Sequence, residues 1–174
     1  MKLINEHIDE AFIKGEDKLK SLGIGRLELI KKWLDKYDST RYDQYVNNPV
    51  INDDLTIDAN CINISEVPFH EFPDYIQFRN LTDYFMVDYC GLTTLRGCPQ
   101  KVGGFFSCSG NNLTSLEYAP KYIGSHIYIN ENEISVEEVL EFINKKFQNK
   151  DNLNTLSTDY KFDFNKKTKK FYLK

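Results

Sequence analysis

The histidines, cysteines and carboxylates of this 174-residue chain could perform chemistry only at the spacings that reactive sites require. The three histidines, His7, His70 and His126, fall in different segments, and no Cys–His pair has the spacing of a zinc site. No HExxH, P-loop, GxSxG or dinucleotide-binding glycine pattern occurs. Glu137 and Glu138 are explained as the start of a helix, whose positive dipole end favours acidic residues. We therefore expect no enzymatic activity, no catalytic residue and no cofactor.

The acidic residues Asp53, Asp54 and Asp58 raise the question of a calcium site. Their spacing lacks the D-x-[DN]-x-[DN]-G arrangement of a calcium loop, and aspartates are common in turns. We expect them to form a turn and not a metal site.

The four cysteines, Cys61, Cys90, Cys98 and Cys108, contain no C-x-x-C pair. We interpret them as reduced thiols of an intracellular, cytoplasmic protein, although a Cys90–Cys108 disulfide between adjacent coils is conceivable. No secretory signal or long apolar run is present, so no membrane association is expected.

A short sequence pattern recurs between Phe85 and Ile134. It predicts the structural elements that position the side chains of this segment. Apolar residues at the first, third and eighth positions surround an Asn or Cys at the sixth, with a period of 21 residues. The copies are Phe85-x-Val87-x-x-Cys90-x-Leu92, Phe106-x-Cys108-x-x-Asn111-x-Leu113 and Ile127-x-Ile129-x-x-Asn132-x-Ile134, with a weaker one at Leu55-x-Ile57-x-x-Asn60-x-Ile62. This is the pattern and period of a leucine-rich repeat.

The residue types of the repeat have physical reasons. Alternating apolar residues predict a short strand with one buried face. The Asn must hydrogen-bond to backbone groups of neighbouring coils, because an unpaired buried amide costs about 1–3 kcal/mol. We therefore expect Asn60, Cys90, Asn111 and Asn132 to form one internal file.

The remaining segments predict the two ends of a short α+β solenoid with a small parallel sheet. Helices are predicted at residues 2–14 and 25–38, the second burying Leu27, Ile30 and Trp33 among others, and they would form an N-terminal cap over residues 1–48. The repeats occupy residues 49–134, with a hairpin at 50–57 and a nine-residue insertion within 63–84. A capping box at Ser135 starts a C-terminal helix, and a β-hairpin completes residues 135–174.

The polar positions between the buried strand residues predict the binding surface. In a leucine-rich repeat they point outward from the concave sheet, and aromatic residues and Met are enriched at protein interfaces. The predicted partner-binding residues are Tyr84, Met86, Asp88, Phe105, Ser107, His126, Tyr128 and Asn130, with Asp54, Thr56, Asp58 and Ser109 at equivalent positions. Alternatively, the C-terminal hairpin or the N-terminal helix covers this surface.

A basic C-terminal tail supports a second hypothesis, in which the chain binds nucleic acid. Clustered lysines contact phosphates, and neighbouring aromatic residues can stack on bases. The lysines are Lys161, Lys166, Lys167, Lys169, Lys170 and Lys174. The alternating aromatic residues of this tail fit a buried strand face better, and the rest of the chain is acidic.

The chain resembles leucine-rich-repeat-like accessory proteins of large tailed bacteriophages. The resemblance covers about residues 20–134 and lies in LGIG at 22–25 leading into LELIKKWLDKY, INDDLTID at 51–58, FPDYIQF at 72–78, and the two tandem coils. It implies a protein that acts in the host cytoplasm by binding a host protein such as a defence or regulatory factor. A homodimer that hides exposed strand edges is a further expectation.

Overall fold

The computed structural model describes residues 25–37, 44–147 and 155–174, which form a mixed α+β fold. The helices are α1 (Arg26–Lys36) and α2 (Val136–Lys146). The strands are β1 (Tyr45–Asn47), β2 (Val50–Ile51), β3 (Ile57–Ala59), β4 (Cys61–Asn63), β5 (Phe78–Leu81), β6 (Phe85–Met86), β7 (Lys101–Val102), β8 (Phe106–Ser107), β9 (Tyr122–Ile123), β10 (Ile127–Tyr128), β11 (Leu156–Ser157), β12 (Phe162–Asn165) and β13 (Lys170–Leu173). The helix predicted at residues 2–14 lies outside the described residues.

The chain winds as stacked, solenoid-like coils, and successive coils place strands in two sheets. One sheet has the order β1-β4-β6-β8-β10-β11 and the other β2-β3-β5-β7-β9, while β12 and β13 form a separate hairpin. Neighbours are parallel from β4 to β11 and from β3 to β9. We expected one parallel sheet. The second arises because the return segments also repeat, so that Leu81, Val102 and Ile123 lie in register.

The 21-residue register predicted for the later coils is confirmed. Phe85 lies beside Phe106, and Phe106 lies beside Ile127, in the six-stranded sheet. All three side chains are almost completely buried, and the rings of Phe85 and Phe106 stack at 5.5 Å. Stacking of identical positions builds a continuous core from short strands, each of which could bury little apolar area alone.

The predicted first copy of the repeat is wrong. Ile62, not Leu55, occupies its first position, because Ile62 lies beside Phe85, 23 positions away. Ile57 instead pairs with Phe78 in the five-stranded sheet, and Asn60 is exposed. The coil that begins at Ile62 is therefore two residues longer than the 21-residue period, and not nine residues longer as predicted. The true copy was hidden because Val67 stands where the later coils have Cys or Asn.

A recurring backbone conformation supports this corrected register. Glu66, Tyr89, Gly110 and Glu131, each immediately before the Asn or Cys position of its coil, all have positive φ values, between 55° and 65°. At Gly110 a side chain is also sterically excluded, because a Cβ atom would lie 2.2 Å from the ring of Tyr89. The turn that ends each strand is thus the same in every one of these coils.

The internal file is confirmed for Cys90, Asn111 and Asn132. The Asn111 side chain donates from Nδ2 to the carbonyl groups of Val87, Cys108 and Ser109, and its Oδ1 accepts from the amides of Cys90 and Leu92. Asn132 repeats the arrangement one coil later, with Leu113 as its amide donor. The Cys90 thiol donates to the Ile64 carbonyl group of the preceding coil. These side chains connect adjacent coils where strand pairing ends.

Helix α1 confirms the predicted second helix but exposes part of its predicted face. Its buried residues are Leu29, Ile30, Trp33 and Leu34, whereas Leu27 is 42% exposed. Trp33 lies 6.1 Å from Phe72 and 6.0 Å from Phe78, measured between ring centroids. The helix therefore packs against aromatic residues of the first coils.

At the other end, α2 begins at the predicted N-cap, Ser135, whose Oγ accepts a hydrogen bond from the Glu138 amide. The Glu138 carboxylate does not complete the capping box. It accepts from Ser115 Oγ (3.0 Å) and from the Leu116 amide (2.8 Å), and so connects α2 to the preceding coil. The predicted hairpin follows as β12 and β13, in which Phe171 is buried. The boundaries 1–48, 49–134 and 135–174 stay predictions.

Candidate functional site

The six-stranded sheet brings all eight predicted site residues onto one face. Strand register aligns Asn63, Met86, Ser107, Tyr128 and Ser157 across successive strands as a central row. Because side chains alternate along a strand, the residues two positions before and after this row share its face. Tyr84, Phe105 and His126 form the row before it, and Asp88, Ser109 and Asn130 form the row after it.

Four aromatic side chains on this face form a continuous ridge, which we call the aromatic ridge: Tyr84, Phe105, His126 and Tyr128. Tyr84 and Phe105 stack at 4.9 Å with an interplanar angle of 5°. Tyr128 meets Phe105 at 6.0 Å and 87°, and His126 stacks on Tyr128 at 6.1 Å. Such pairs contribute about 0.5–1.5 kcal/mol each beyond the area they bury, and these contacts therefore favour the observed arrangement of the rings.

The exposure of this face is uneven. Tyr128 is 37% exposed and His126 is exposed, while Tyr84, Met86 and Phe105 are half-buried. Of the elements proposed as alternative covers, α1 packs on Phe72 and Phe78, and the β12–β13 hairpin packs on α2, with Phe171 against Phe147. Neither set of contacts involves the aromatic ridge, and the N-terminal helix predicted at residues 2–14 lies outside the described residues.

The expectation that every position between buried strand residues is exposed fails for two serines. Ser107 and Ser109 are only 4% and 8% exposed. Their small side chains lie between larger neighbours, and both residues bind Asp88: Ser107 Oγ donates to its Oδ1 at 2.6 Å and the Ser109 amide at 2.8 Å. These serines orient the site and offer little surface of their own.

Asp88 begins a polar row beside the aromatic ridge. Burial raises the pKa of its carboxyl group above the ordinary range, while the hydrogen bonds from Ser107 and Ser109 oppose this shift. Two coils beyond Asp88, Asn130 Oδ1 accepts from Ser109 Oγ and Ser157 Oγ, both at 3.1 Å. The surface therefore combines aromatic faces with one anchored carboxylate.

Sequence reasoning missed two residues that extend this surface, Tyr45 and Cys61. The hydroxyl groups of Tyr45 and Tyr84 are hydrogen-bonded to each other. The pKa of Tyr84 is raised by burial and further by its hydrogen bonds with Tyr45 and Cys61. Cys61 was missed because the register of the first coil was wrong. With Ile62 at the first position of that coil, Cys61 is equivalent to Tyr84 and lies on this face.

The same error misplaced the predicted outward residues of the first coil. Asp54 and Thr56 lie in the turn between β2 and β3, where Asp54 Oδ1 accepts from the hydroxyl and amide groups of Thr56. Asp58 lies on β3 in the five-stranded sheet and pairs with Arg79 at 2.6 Å. Hydrogen bonding to Arg79 holds the pKa of Asp58 below its usual range. All three residues are therefore removed from the candidate surface.

The four cysteines are free thiols, as predicted, and Cys90, Cys98 and Cys108 are buried. Burial raises the pKa of Cys90 to about 11 and raises the pKa values of Cys98 and Cys108 well above the ordinary range of a thiol, so these thiols are not poised to act as nucleophiles. Over residues 25–37, 44–147 and 155–174, no group of three or more His, Cys, Asp or Glu is arranged to hold a metal ion. Within those ranges no helix has the length and apolarity needed to span a bilayer.

Comparisons with known proteins add no relative to this description. No protein-family model matches the sequence, and neither the curated proteins nor the solved structures give a match. The functional argument therefore depends on the chain's own residues.

Proposed function

We propose that this chain is a non-enzymatic, leucine-rich-repeat-like module that binds another protein through the outer face of its six-stranded sheet. The observation that carries the proposal is the aromatic ridge, which presents Tyr84, Phe105, His126 and Tyr128 in contact with one another. Ordered aromatic residues with few rotatable bonds supply contact area at low entropic cost, and Tyr is enriched among the residues that dominate binding energies.

The resemblance to phage accessory proteins extends this proposal to a biological setting. In that setting the partner is a host defence or regulatory protein, and binding inhibits or redirects it in the host cytoplasm. The motifs quoted from residues 22–134 support this step.

Capture from a bacterial lysate, followed by mass spectrometry and by affinity measurement with the purified partner, tests the proposal. The double variant Tyr84→Ala/Tyr128→Ala should weaken binding at least about 10-fold, or roughly 1.4 kcal/mol. Tyr118→Ala/Tyr122→Ala is the matched control, because these tyrosines are 50% and 55% exposed outside the ridge. Fluorescence of the buried Trp33 monitors folding. Unchanged affinity in a folded ridge variant would exclude the ridge as the binding site.

The alternative, nucleic-acid binding by the basic tail, is less well supported by the geometry. Phe164 packs on Phe171 at 4.8 Å, and Phe171 packs on Phe147 at 5.9 Å, so these rings are already engaged. Tyr172 is 46% exposed and could stack on a base. Salt-dependent binding to an oligonucleotide that is lost on replacing Lys166, Lys167, Lys169 and Lys170 with Ala would favour this alternative.

A further inference from the structure

The position of Asp88 narrows the chemistry of the partner. Asp88 lies in the turn just after β6, two residues beyond Met86, and its carboxylate is on the face of the sheet that carries Met86. Ser107, which holds this carboxylate, lies directly beside Tyr128 in the sheet. The charge and the aromatic surface are therefore parts of one site.

Asp88 also lacks a cationic partner within the part of the chain that the structure describes. The ion pairs of those residues join Arg79 to Asp58, Arg96 to Asp74 and Lys145 to Glu141. A half-buried carboxylate without a nearby cation is costly, because desolvation disfavours its charged form. A cation from outside would relieve this cost.

The hydrogen bonds of Asp88 leave one oxygen for such a cation. Ser107 Oγ and the Ser109 amide both donate to Oδ1, and none of the described residues donates to Oδ2. The hydrogen bonds from Ser107 and Ser109 thus fix the orientation of the carboxylate. Carboxylates held in this way favour a planar donor that can form directional hydrogen bonds.

A guanidinium group fits these features better than an ammonium group. It is planar, pairs with carboxylates in defined geometry, is weakly hydrated and stacks on aromatic rings. A phosphate group would be repelled by Asp88, which argues against a nucleic acid on this face. The formal net charge of −4 is also complementary to a basic partner.

We propose that the face formed by Asp88 and the aromatic ridge binds an arginine side chain of the partner protein, with the guanidinium group paired to Asp88 and packed on the ridge. This inference rests on the proposed function and specifies the partner's chemistry. Its elements are the fixed carboxylate and the adjoining rings of Tyr84, Phe105 and Tyr128.

The test uses N-acetyl-arginine methylamide as the probe, with the lysine analogue for comparison, in an NMR titration of the full chain. We expect saturable shifts at Tyr84, Asp88, Phe105 and Tyr128, and weaker binding of the lysine probe. Asp88→Asn should raise the Kd at least about 5-fold, whereas Asp53→Asn makes the same charge change in an exposed turn and should leave it unchanged.

Tyr128→Ala keeps the test decisive if Asp88→Asn impairs folding, because Tyr128 is partly exposed. It should also weaken arginine binding, and Tyr122→Ala, on the five-stranded sheet, should not. Shifts located elsewhere, equal binding of both probes, or equal losses in Asp88→Asn and Asp53→Asn would each overturn the inference. So would the absence of any saturable shift.

Affinity for the captured partner separates this inference from the proposed function. If Tyr84→Ala/Tyr128→Ala weakens partner binding but Asp88→Asn does not, the arginine site is wrong and the ridge remains the interface. If the ridge double variant binds the partner normally, the proposed function fails whatever the probe titration shows.

Discussion

Replacing Asn111 with Ala should remove a large part of the stability of the stacked coils. The substitution deprives the buried amides of Cys90 and Leu92 of their shared acceptor and the Val87 carbonyl group of its donor. Each buried group left unpaired costs about 1–3 kcal/mol, but such costs do not add fully. The carbonyl groups of Cys108 and Ser109 also lose the hydrogen bond from Asn111, but each keeps another donor.

The carbonyl group of Cys108 also accepts from Asn132, and that of Ser109 also accepts from the Tyr89 amide. We therefore expect a loss of about 3–5 kcal/mol, against the total of about 5–15 kcal/mol that is typical of a folded domain. Asn132→Ala should cost less, because the structure gives its Oδ1 one amide partner, Leu113, and the side chain is half-buried.

Urea unfolding provides the measurement, followed both by Trp33 fluorescence and by far-ultraviolet circular dichroism. Trp33 is the single tryptophan, and coincidence of the two transitions verifies two-state behaviour. Asn112→Ala is the control, since this exposed neighbour should change stability by no more than about 0.5 kcal/mol. A loss at Asn111 no larger than that of the control would refute the idea that the buried amide connects the coils.

Three further perturbations test other contacts. Gly110→Ala should destabilise the fold by about 1–3 kcal/mol or more in urea unfolding, because φ is +65° and the new Cβ meets the Tyr89 ring. Adding Tyr89→Ala should restore only the part of the lost stability that is due to the clash with the ring. Ser135→Ala should cost about 1 kcal/mol through loss of the helix N-cap, with Ser135→Asp as a conservative control that retains it. The hydrogen bond to Arg79 lowers the pKa of Asp58. The interaction therefore stabilises the fold at pH values above about 4, the ordinary pKa of an aspartate, and this stabilisation is lost as the pH falls through the folded-state pKa. The stability difference between the wild type and Asp58→Asn should therefore shrink in acid, and a difference that is constant with pH would contradict this assignment.

The local elements could be read from the sequence because their signals are local. Ser135 marks the start of α2, and the alternation around Phe162 and Phe164 marks a strand of the hairpin. The 21-residue spacing likewise defined the register of Phe85, Phe106 and Ile127, since identical coils stack most simply with identical positions aligned. The internal file followed from the hydrogen-bonding capacity of Asn111 and Asn132.

The register of the first coil could not be read in the same way. Both Leu55-x-Ile57 and Ile62-x-Ile64 alternate correctly, and only strand pairing between coils decides between them. The structure selects Ile62 because its strand pairs with Phe85, while Ile57 pairs with Phe78 in the other sheet. The alternation of apolar residues along one strand does not specify which of two sheets that strand joins.

For the three later coils, the sequence by itself determined the repeat, its period, the buried apolar positions and the residues that share a face, because each depends on spacing within one coil. The tertiary structure alone decided the second sheet, the placement of Asp58 away from the ridge, and the contact between Ser107 and Asp88. Those features depend on which residues of different coils come to lie side by side, and this is set by backbone pairing and packing across the whole stack.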